Sequence, residues 1–150
     1  MSKPRFNHVA LSVPSAALDD AGRADILAFY GEVFGWEEMP TMTKPGQQLV
    51  LQAYSYDQFV FVVAEDEPMA CPRTDHFGMS VDSLDELTTF HDRASAYATR
   101  DDRVSVSAVG LDDYEFLKLH NFYVGYLLPL SVEVQHWAWT PTPALASSSS

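Results

Sequence analysis

The chain has 150 residues, of which 47% are hydrophobic and 13% are aromatic. This length and composition predict one globular domain with a sizeable core and exclude a disordered chain. The 21 acidic and 9 basic residues give a net charge of −12, which argues against a nucleic-acid or anionic-membrane partner because both need a basic surface. Cys71 is the only cysteine, and neither a signal peptide nor a membrane-length apolar run is present, so we expect a cytoplasmic protein.

The first predicted strand occurs twice in the chain. Residues 5–15 (RFNHVALSVPS) reappear as residues 73–83 (RTDHFGMSVDS). Both copies alternate bulky apolar residues with small or polar ones, which is typical of a β-strand with one face packed under a helix. The polar face opens with a histidine in each copy, His8 in the first and His76 in the second. A long-period repeat of this kind indicates a supersecondary unit that its copy completes.

The same order of elements follows each copy. In the first unit, apolar residues at helical spacing predict a helix over residues 23–34 that ends at Gly35. In the second unit, Ser83 and Glu86 form a predicted capping box at the start of a helix. The strands predicted after these helices are residues 36–39, 48–54 and 58–64 in the first unit, and 104–109, 115–126 and 130–137 in the second.

This order predicts an α+β fold built from two βαβββ modules. The modules cover about residues 5–66 and 73–138, within a single domain of residues 1–138. Residues 139–150, with two prolines and four terminal serines, are expected to form a disordered tail.

The last predicted strand carries a carboxylate between two valines. Val132 and Val134 face one way, and Glu133 faces the other. An unpaired buried carboxylate is costly, and a divalent cation held also by His8 and His76 would remove that cost. A buried partner such as Arg5 or Arg73, or simple exposure at a sheet edge, would remove it as well. Two histidines and one carboxylate form a ligand set that suits Fe(II), with Mn(II), Zn(II) and Co(II) as alternatives.

The corresponding strand of the first module has no such carboxylate. Aligning the two strands puts Phe61 where Glu133 lies in the second module. We therefore predict Phe59 and Phe61 as apolar walls of a substrate pocket. Ser12 and Ser80, on the histidine faces of the repeated strands, complete the predicted pocket.

Three features together resemble the vicinal oxygen chelate superfamily, which includes glyoxalase I, bleomycin-resistance proteins and extradiol dioxygenases. They are the two His-x-x-x-Ser-Val strand openings, the sequence FYGEVFG at residues 29–35, and Val132-Glu133-Val134. The resemblance spans residues 5–138 and implies two modules whose curved mixed sheets surround a cavity. It also implies that His8, His76 and Glu133 are metal ligands on inner strands.

The resemblance further narrows the expected chemistry. Glyoxalase I has a carboxylate or glutamine at the position of Phe61, so Phe61 moves the pattern toward extradiol dioxygenases, whose ligands are His, His and Glu. Those enzymes carry a tyrosine on the strand before the glutamate. Tyr123 and Tyr126 are the candidates for this catalytic role, and Tyr123 has the same strand parity as Glu133. His120 and His136 receive no role.

Three functions remain open from the sequence. The first is an extradiol-dioxygenase-like oxidoreductase that uses Fe(II) and acts on a catechol or another small compound with vicinal oxygens. The second is a metal-free ligand-binding protein, similar to the bleomycin-resistance proteins. The third is a glyoxalase- or epimerase-type lyase or isomerase. A homodimer would allow modules of two chains to pair, although one chain also carries both modules.

Overall fold

The computed structural model describes residues 1–140 and contains the two predicted modules. The first module consists of β1 (His8–Val13), α1 (Asp20–Phe34), β2 (Glu37–Glu38), β3 (Gln48–Gln52) and β4 (Phe59–Ala64), with a short 3-10 turn at Ser15–Leu18. The second consists of β5 (His76–Ser80), α2 (Leu84–Ala98), β6 (Ser105–Val106), β7 (Gly110–Asp113), β8 (Leu117–Gly125) and β9 (Ser131–Trp139).

Each module forms one mixed sheet in which the first and last strands are neighbours. The strand order is β1-β4-β3-β2 in the first sheet and β5-β9-β8-β6 in the second, where β7 also pairs with β8. The β1–β4 and β5–β9 pairs are parallel, and the remaining pairs are antiparallel. The predicted α+β fold of two βαβββ units is therefore confirmed, with β7 as an additional strand.

Local hydrogen bonds set the helix ends. The Asp19 carboxylate accepts from the Gly22 amide at 2.7 Å, so α1 begins at Asp20, earlier than predicted. At the start of α2, the Ser83 hydroxyl accepts from the Glu86 amide at 3.1 Å, as the capping box predicts. Neither helix within residues 1–140 is long and apolar enough to cross a membrane.

The sequence prediction differs from the structure mainly in the second half of the chain. The additional strand β7 has the sequence GLDD, which lacks the apolar alternation that predicts a strand. The predicted disordered tail starts at residue 139, whereas β9 extends to Trp139 and the Thr140 amide donates to the Phe116 carbonyl at 2.6 Å. Residues 141–150 lie outside the described part of the chain.

The two modules share one hydrophobic core through their helices. The ring centroid of Phe29 on α1 lies 4.4 Å from that of Tyr126 and 5.0 Å from that of Tyr97 on α2. The neighbouring Tyr30 is fully buried, and its hydroxyl donates to the Tyr126 carbonyl at 2.7 Å. Large aromatic rings contribute much of the buried area of a core, so these contacts fix one module against the other.

Tyr126 also connects this core to a polar network. Its hydroxyl donates to the Asp101 carboxylate at 2.8 Å and accepts from the Arg103 guanidinium at 2.9 Å. Arg103 in turn pairs with Asp25 of α1 at 3.0 Å. Burial, together with the hydrogen bond to Asp101, raises the pKa of Tyr126 above its ordinary value, so the phenol stays protonated as the donor in this network.

The end of α1 supplies a first prediction. Gly35 has φ +73°, a left-handed conformation that costs other residues about 1 kcal/mol. We expect Gly35→Ala to lower the free energy of unfolding by that amount in a urea titration. Gly31 lies inside the same helix without a positive φ, so Gly31→Ala should raise stability by roughly 0.5–1 kcal/mol. Changes of the same sign in both variants would contradict this assignment of the helix end.

The Tyr126 network supplies a second prediction. Tyr126→Phe removes a buried hydroxyl that bonds to two charged groups, and we expect a loss of about 1.5 kcal/mol in the free energy of unfolding. Tyr56 is 78% exposed, so Tyr56→Phe serves as the matched control and should change stability little. An equal effect in the two variants, measured by urea unfolding, would show that the Tyr126 hydroxyl does not stabilise the core.

Candidate functional site

Each sheet has one face packed in the core and one face toward solvent, which we call the open face. On β1, Leu11 and Val13 are buried while His8 and Ala10 are exposed. On β5, the exposed residues are His76, Gly78 and Ser80. The predicted alternation of the two repeated strands is therefore present, and both histidines lie on open faces.

Glu133 and His76 meet on the open face of the second sheet. Glu133 is 5% exposed, and its Oε2 lies 2.9 Å from Nε2 of His76. Strand register explains the meeting, because Gly78 on β5 and Tyr123 on β8 are the direct neighbours of Glu133. Since Gly78 has no side chain, it leaves the space above Glu133 open toward the histidine.

Hydrogen bonds keep the Glu133 carboxylate ionised. Burial alone would raise its pKa, but hydrogen bonds with the Gln135 and Asn121 side chains, the nearby His76 and the Tyr123 hydroxyl together bring the pKa below its ordinary value. The Asn121 amide donates to Oε1 at 2.9 Å. One carboxylate oxygen is thus bound by an amide, and the other faces the imidazole.

The two candidate histidines have the same hydrogen-bonding arrangement at Nδ1. Nδ1 of His76 donates to the Thr74 carbonyl at 2.8 Å, because a carbonyl can only accept. Nδ1 of His8 lies 2.6 Å from Oδ1 of Asn7. In both residues Nδ1 is engaged, and Nε2 of His76 faces Glu133. One ring nitrogen held by the protein is typical of metal-binding histidines.

Tyr123 lies beside this pair. Its ring is edge-on to the His76 ring at a centroid distance of 5.1 Å, and the residue is 37% exposed. Burial and the neighbouring Glu133 charge raise the pKa of the Tyr123 phenol, so it stays protonated and can donate a hydrogen bond. A cavity of about 300 Å³ adjoins Tyr123 and is also lined by Cys71, Arg73 and Ser131.

His8 does not join His76 and Glu133 within the chain. Its ring stacks on Phe59 at a centroid distance of 4.8 Å, and within residues 1–140 no three His, Cys, Asp or Glu side chains come together in a way that could hold a metal ion. His8 and Phe59 line a separate cavity of about 440 Å³, together with Phe77 and Met79 of β5. The chain thus brings together two of its three predicted ligands.

The other predicted residues are divided between the two sheets. Phe61 is half-buried beside Ala10 on the open face of the first sheet. Ser12 is engaged, because its hydroxyl accepts from the Met69 amide at 2.7 Å and so binds the connector between the modules. Ser80 lines a shallow depression with Gly78 and Gln135. Tyr126 lies in the shared core, away from Glu133, and the structure does not bring it to the site.

Asn121 is the residue of this site that sequence reasoning missed. It lies on the same face of β8 as Tyr123, two residues earlier, and its register partner on β9 is Gln135. The sequence spacing indicates that Asn121 and Tyr123 share one face of the strand. Only the pairing of β8 with β9 places the Asn121 amide next to Glu133.

No protein-family model matches the chain, and no curated protein matches it significantly. Solved structures do match. The lactoylglutathione lyase of Agrobacterium tumefaciens has a TM-score of 0.60 and 19% identity over 91% of this chain and 96% of that one.

Two further solved structures that match this chain have names from the glyoxalase/bleomycin resistance protein family. A glyoxalase/bleomycin resistance protein/dioxygenase family enzyme from Burkholderia phytofirmans PsJN has a TM-score of 0.59 and 12% identity over 87% of this chain and 96% of that one. A glyoxalase/bleomycin resistance protein from Albidiferax ferrireducens T118 has a TM-score of 0.55 and 15% identity over 87% and 98%. The chain therefore has the glyoxalase/bleomycin resistance/dioxygenase fold, the fold of the vicinal oxygen chelate superfamily, as the sequence resemblance predicted.

Proposed function

We propose that this protein is a metal-dependent enzyme of the vicinal oxygen chelate type, acting on a small substrate with two adjacent oxygen atoms. The proposed metal ligands are His76 and Glu133 of one chain, together with one copy of His8. The observation that carries the proposal is the 2.9 Å separation of His76 Nε2 and Glu133 Oε2 on an open face beside a cavity.

The chemistry of this pair fits a metal ion. Two ligand atoms that are each about 2.1 Å from a metal and at right angles lie about 3.0 Å apart. Because Nδ1 of His76 donates to Thr74, a neutral imidazole directs its Nε2 lone pair at the Glu133 carboxylate, so two acceptors face each other. A cation between them removes this repulsion. Protonation of His76 is the other way to remove it, and it would give a simple ion pair.

We propose that the third ligand is His8 of the partner subunit in a homodimer. His8 and His76 occupy the same position in the two copies of the repeat, and both lie on exposed faces. A two-fold axis that brings the first module of one chain against the second module of another would build two identical sites. Within one chain His8 does not join His76 and Glu133 in a ligand cluster, which favours this arrangement over a site closed by a single chain.

The residues around the site define the expected chemistry. A bound divalent metal would supply Lewis acidity to both substrate oxygens and, as iron, electrons for O₂. The protonated Tyr123 would donate a hydrogen bond or a proton to a substrate oxygen, while Asn121 holds the Glu133 carboxylate in place. Phe59 and Phe61 would form the apolar wall contributed by the first module.

Within this class, extradiol-dioxygenase-like cleavage of a catechol with Fe(II) is the proposed reaction. Phe61 lies beside Ala10 and offers no metal ligand, so the set consists of two histidines and one carboxylate. Mn(II), Zn(II) and Co(II) fit the same ligands. A lyase or isomerase reaction of the glyoxalase type is the second choice, since those enzymes use a further ligand at the position of Phe61.

A metal-free binding protein is the alternative function, and exposed aromatic rings favour it. Trp137 and Trp139 are 47% and 53% exposed, and their ring centroids are 5.8 Å apart. They share the parity of Glu133 on β9, so they lie on the same open face. Such rings, in a protein with a net charge of −12, would suit a flat cationic ligand.

Complementation between two inactive variants tests the metal site and the homodimer together. His8→Ala and His76→Ala should each lose bound metal in elemental analysis of protein purified anaerobically with iron and manganese supplied. Co-expression of the two differently tagged chains should restore one metal per heterodimer, because one of its two sites keeps an intact His8 and an intact His76.

The control is the same co-expression with His91→Ala in place of His8→Ala, since His91 lies on α2 and not on an open face. Metal that is lost in both single variants but never restored in the heterodimer would show that one chain closes its own site. Wild-type protein without metal would reject the enzyme proposal and favour the binding protein.

Oxygen uptake tests the reaction class. We expect Fe(II)-loaded protein to consume O₂ with at least one member of a catechol panel, and Tyr123→Phe to reduce kcat by about 100-fold, a typical contribution of general acid–base catalysis. Tyr126→Phe is the matched control, because its phenol lies in the core. Turnover of a hemithioacetal without O₂ uptake would instead assign a glyoxalase-type reaction.

A further inference from the structure

A second pair of histidines lies on the other face of the hairpin that carries Glu133. His120 on β8 and His136 on β9 are direct register partners, and their ring centroids are 6.4 Å apart with an interplanar angle of 31°. Their parity is opposite to that of Tyr123 and Glu133. This pair is therefore separate from the site of the proposed function.

Both rings carry an unusual unpaired atom. Nδ1 of His120 and Nδ1 of His136 are buried and have no hydrogen-bond partner among the described residues. Buried polar side-chain atoms in proteins are nearly always paired, so two orphaned nitrogens on facing residues need an explanation. His91 on α2 shows the ordinary case, because its Nε2 lies 3.0 Å from the Ser107 carbonyl.

We propose that His120 and His136 together chelate a divalent transition metal of the class that prefers imidazole, namely Cu(II), Ni(II) or Zn(II). A metal–nitrogen bond is about 2.1 Å, so two imidazoles on one ion have ring centroids roughly 5 to 6.5 Å apart, depending on the angle at the metal. The observed 6.4 Å lies at the upper end of this range.

The surroundings make this a two-ligand site. No third His, Cys, Asp or Glu completes a cluster anywhere in residues 1–140, so water would fill the remaining positions. His136 lines a shallow depression with Ser80, Asp82 and Trp137, so an ion would enter from the side of His136. Cu(II) should bind most tightly, because it stands highest in the divalent series.

A metal here would cross-link β8 and β9. These two strands carry Tyr123 and Glu133 on their open face, so an ion bound to His120 and His136 would fix the backbone that positions the proposed active site. An ion that binds only the folded chain also stabilises it by mass action.

The test uses a His8→Ala/His76→Ala background, which removes the metal site of the proposed function. Calorimetric titration of this protein with CuCl₂ should show one equivalent of bound Cu(II). Adding His120→Gln and His136→Gln should weaken that binding by roughly 100-fold, because the second imidazole acts at high effective concentration. Adding His91→Gln instead should leave the Cu(II) affinity unchanged.

Electron paramagnetic resonance of the Cu(II) complex gives a second readout that does not require the protein with His120→Gln and His136→Gln to fold. Two coordinated imidazole nitrogens in the His8→Ala/His76→Ala background are expected. One nitrogen, or an unchanged affinity after His120→Gln and His136→Gln, would overturn the proposal. Because the background lacks both histidine ligands of the other site, failure of the proposed function would leave this result unaffected.

Discussion

The aromatic contact of α1 with Tyr126 is the interaction on which the arrangement of this molecule depends. Phe29 and Tyr30 are fully buried between the modules, and the Tyr126 hydroxyl extends the contact to Asp101 and Arg103. Because the modules meet through their helix-bearing sides, the opposite face of each sheet stays toward solvent. The same packing that stabilises the chain therefore leaves its polar, histidine-bearing faces available to a ligand or to a second chain.

The hairpin of β8 and β9 carries most of the residues to which a chemical role is proposed. One register places Tyr123 beside Glu133 on the open face and His120 beside His136 on the other. Strand alternation alone separates these two pairs, although they are only a few residues apart in sequence. A carboxylate this deeply buried is tolerated because hydrogen bonds with Asn121 and its other neighbours compensate for the loss of hydration.

The sequence was sufficient for the fold and for the faces of the strands, because both depend on local pattern. The repeat and the parity of His76 and Glu133 predicted which side chains share an open face, and Gly35 predicted the end of α1. Features that depend on contacts between distant segments were missed. The separation of His8 from His76 follows from how two modules pack, and Asn121 reaches Glu133 only through strand pairing. The strand β7 is held by its pairing with β8 and not by its own residues.

The position of β9 has a consequence for the order in which the protein can form during synthesis. The first sheet is complete once Ala64 has been made, because β4 supplies the last pairing of that module. In the second sheet β9 lies in the interior, between β5 and β8, so the strand that carries His76 has no sheet neighbour until residues 131–139 have emerged. All strands of the first sheet can therefore pair early in synthesis, whereas the sheet that carries Glu133 waits for nearly the whole chain.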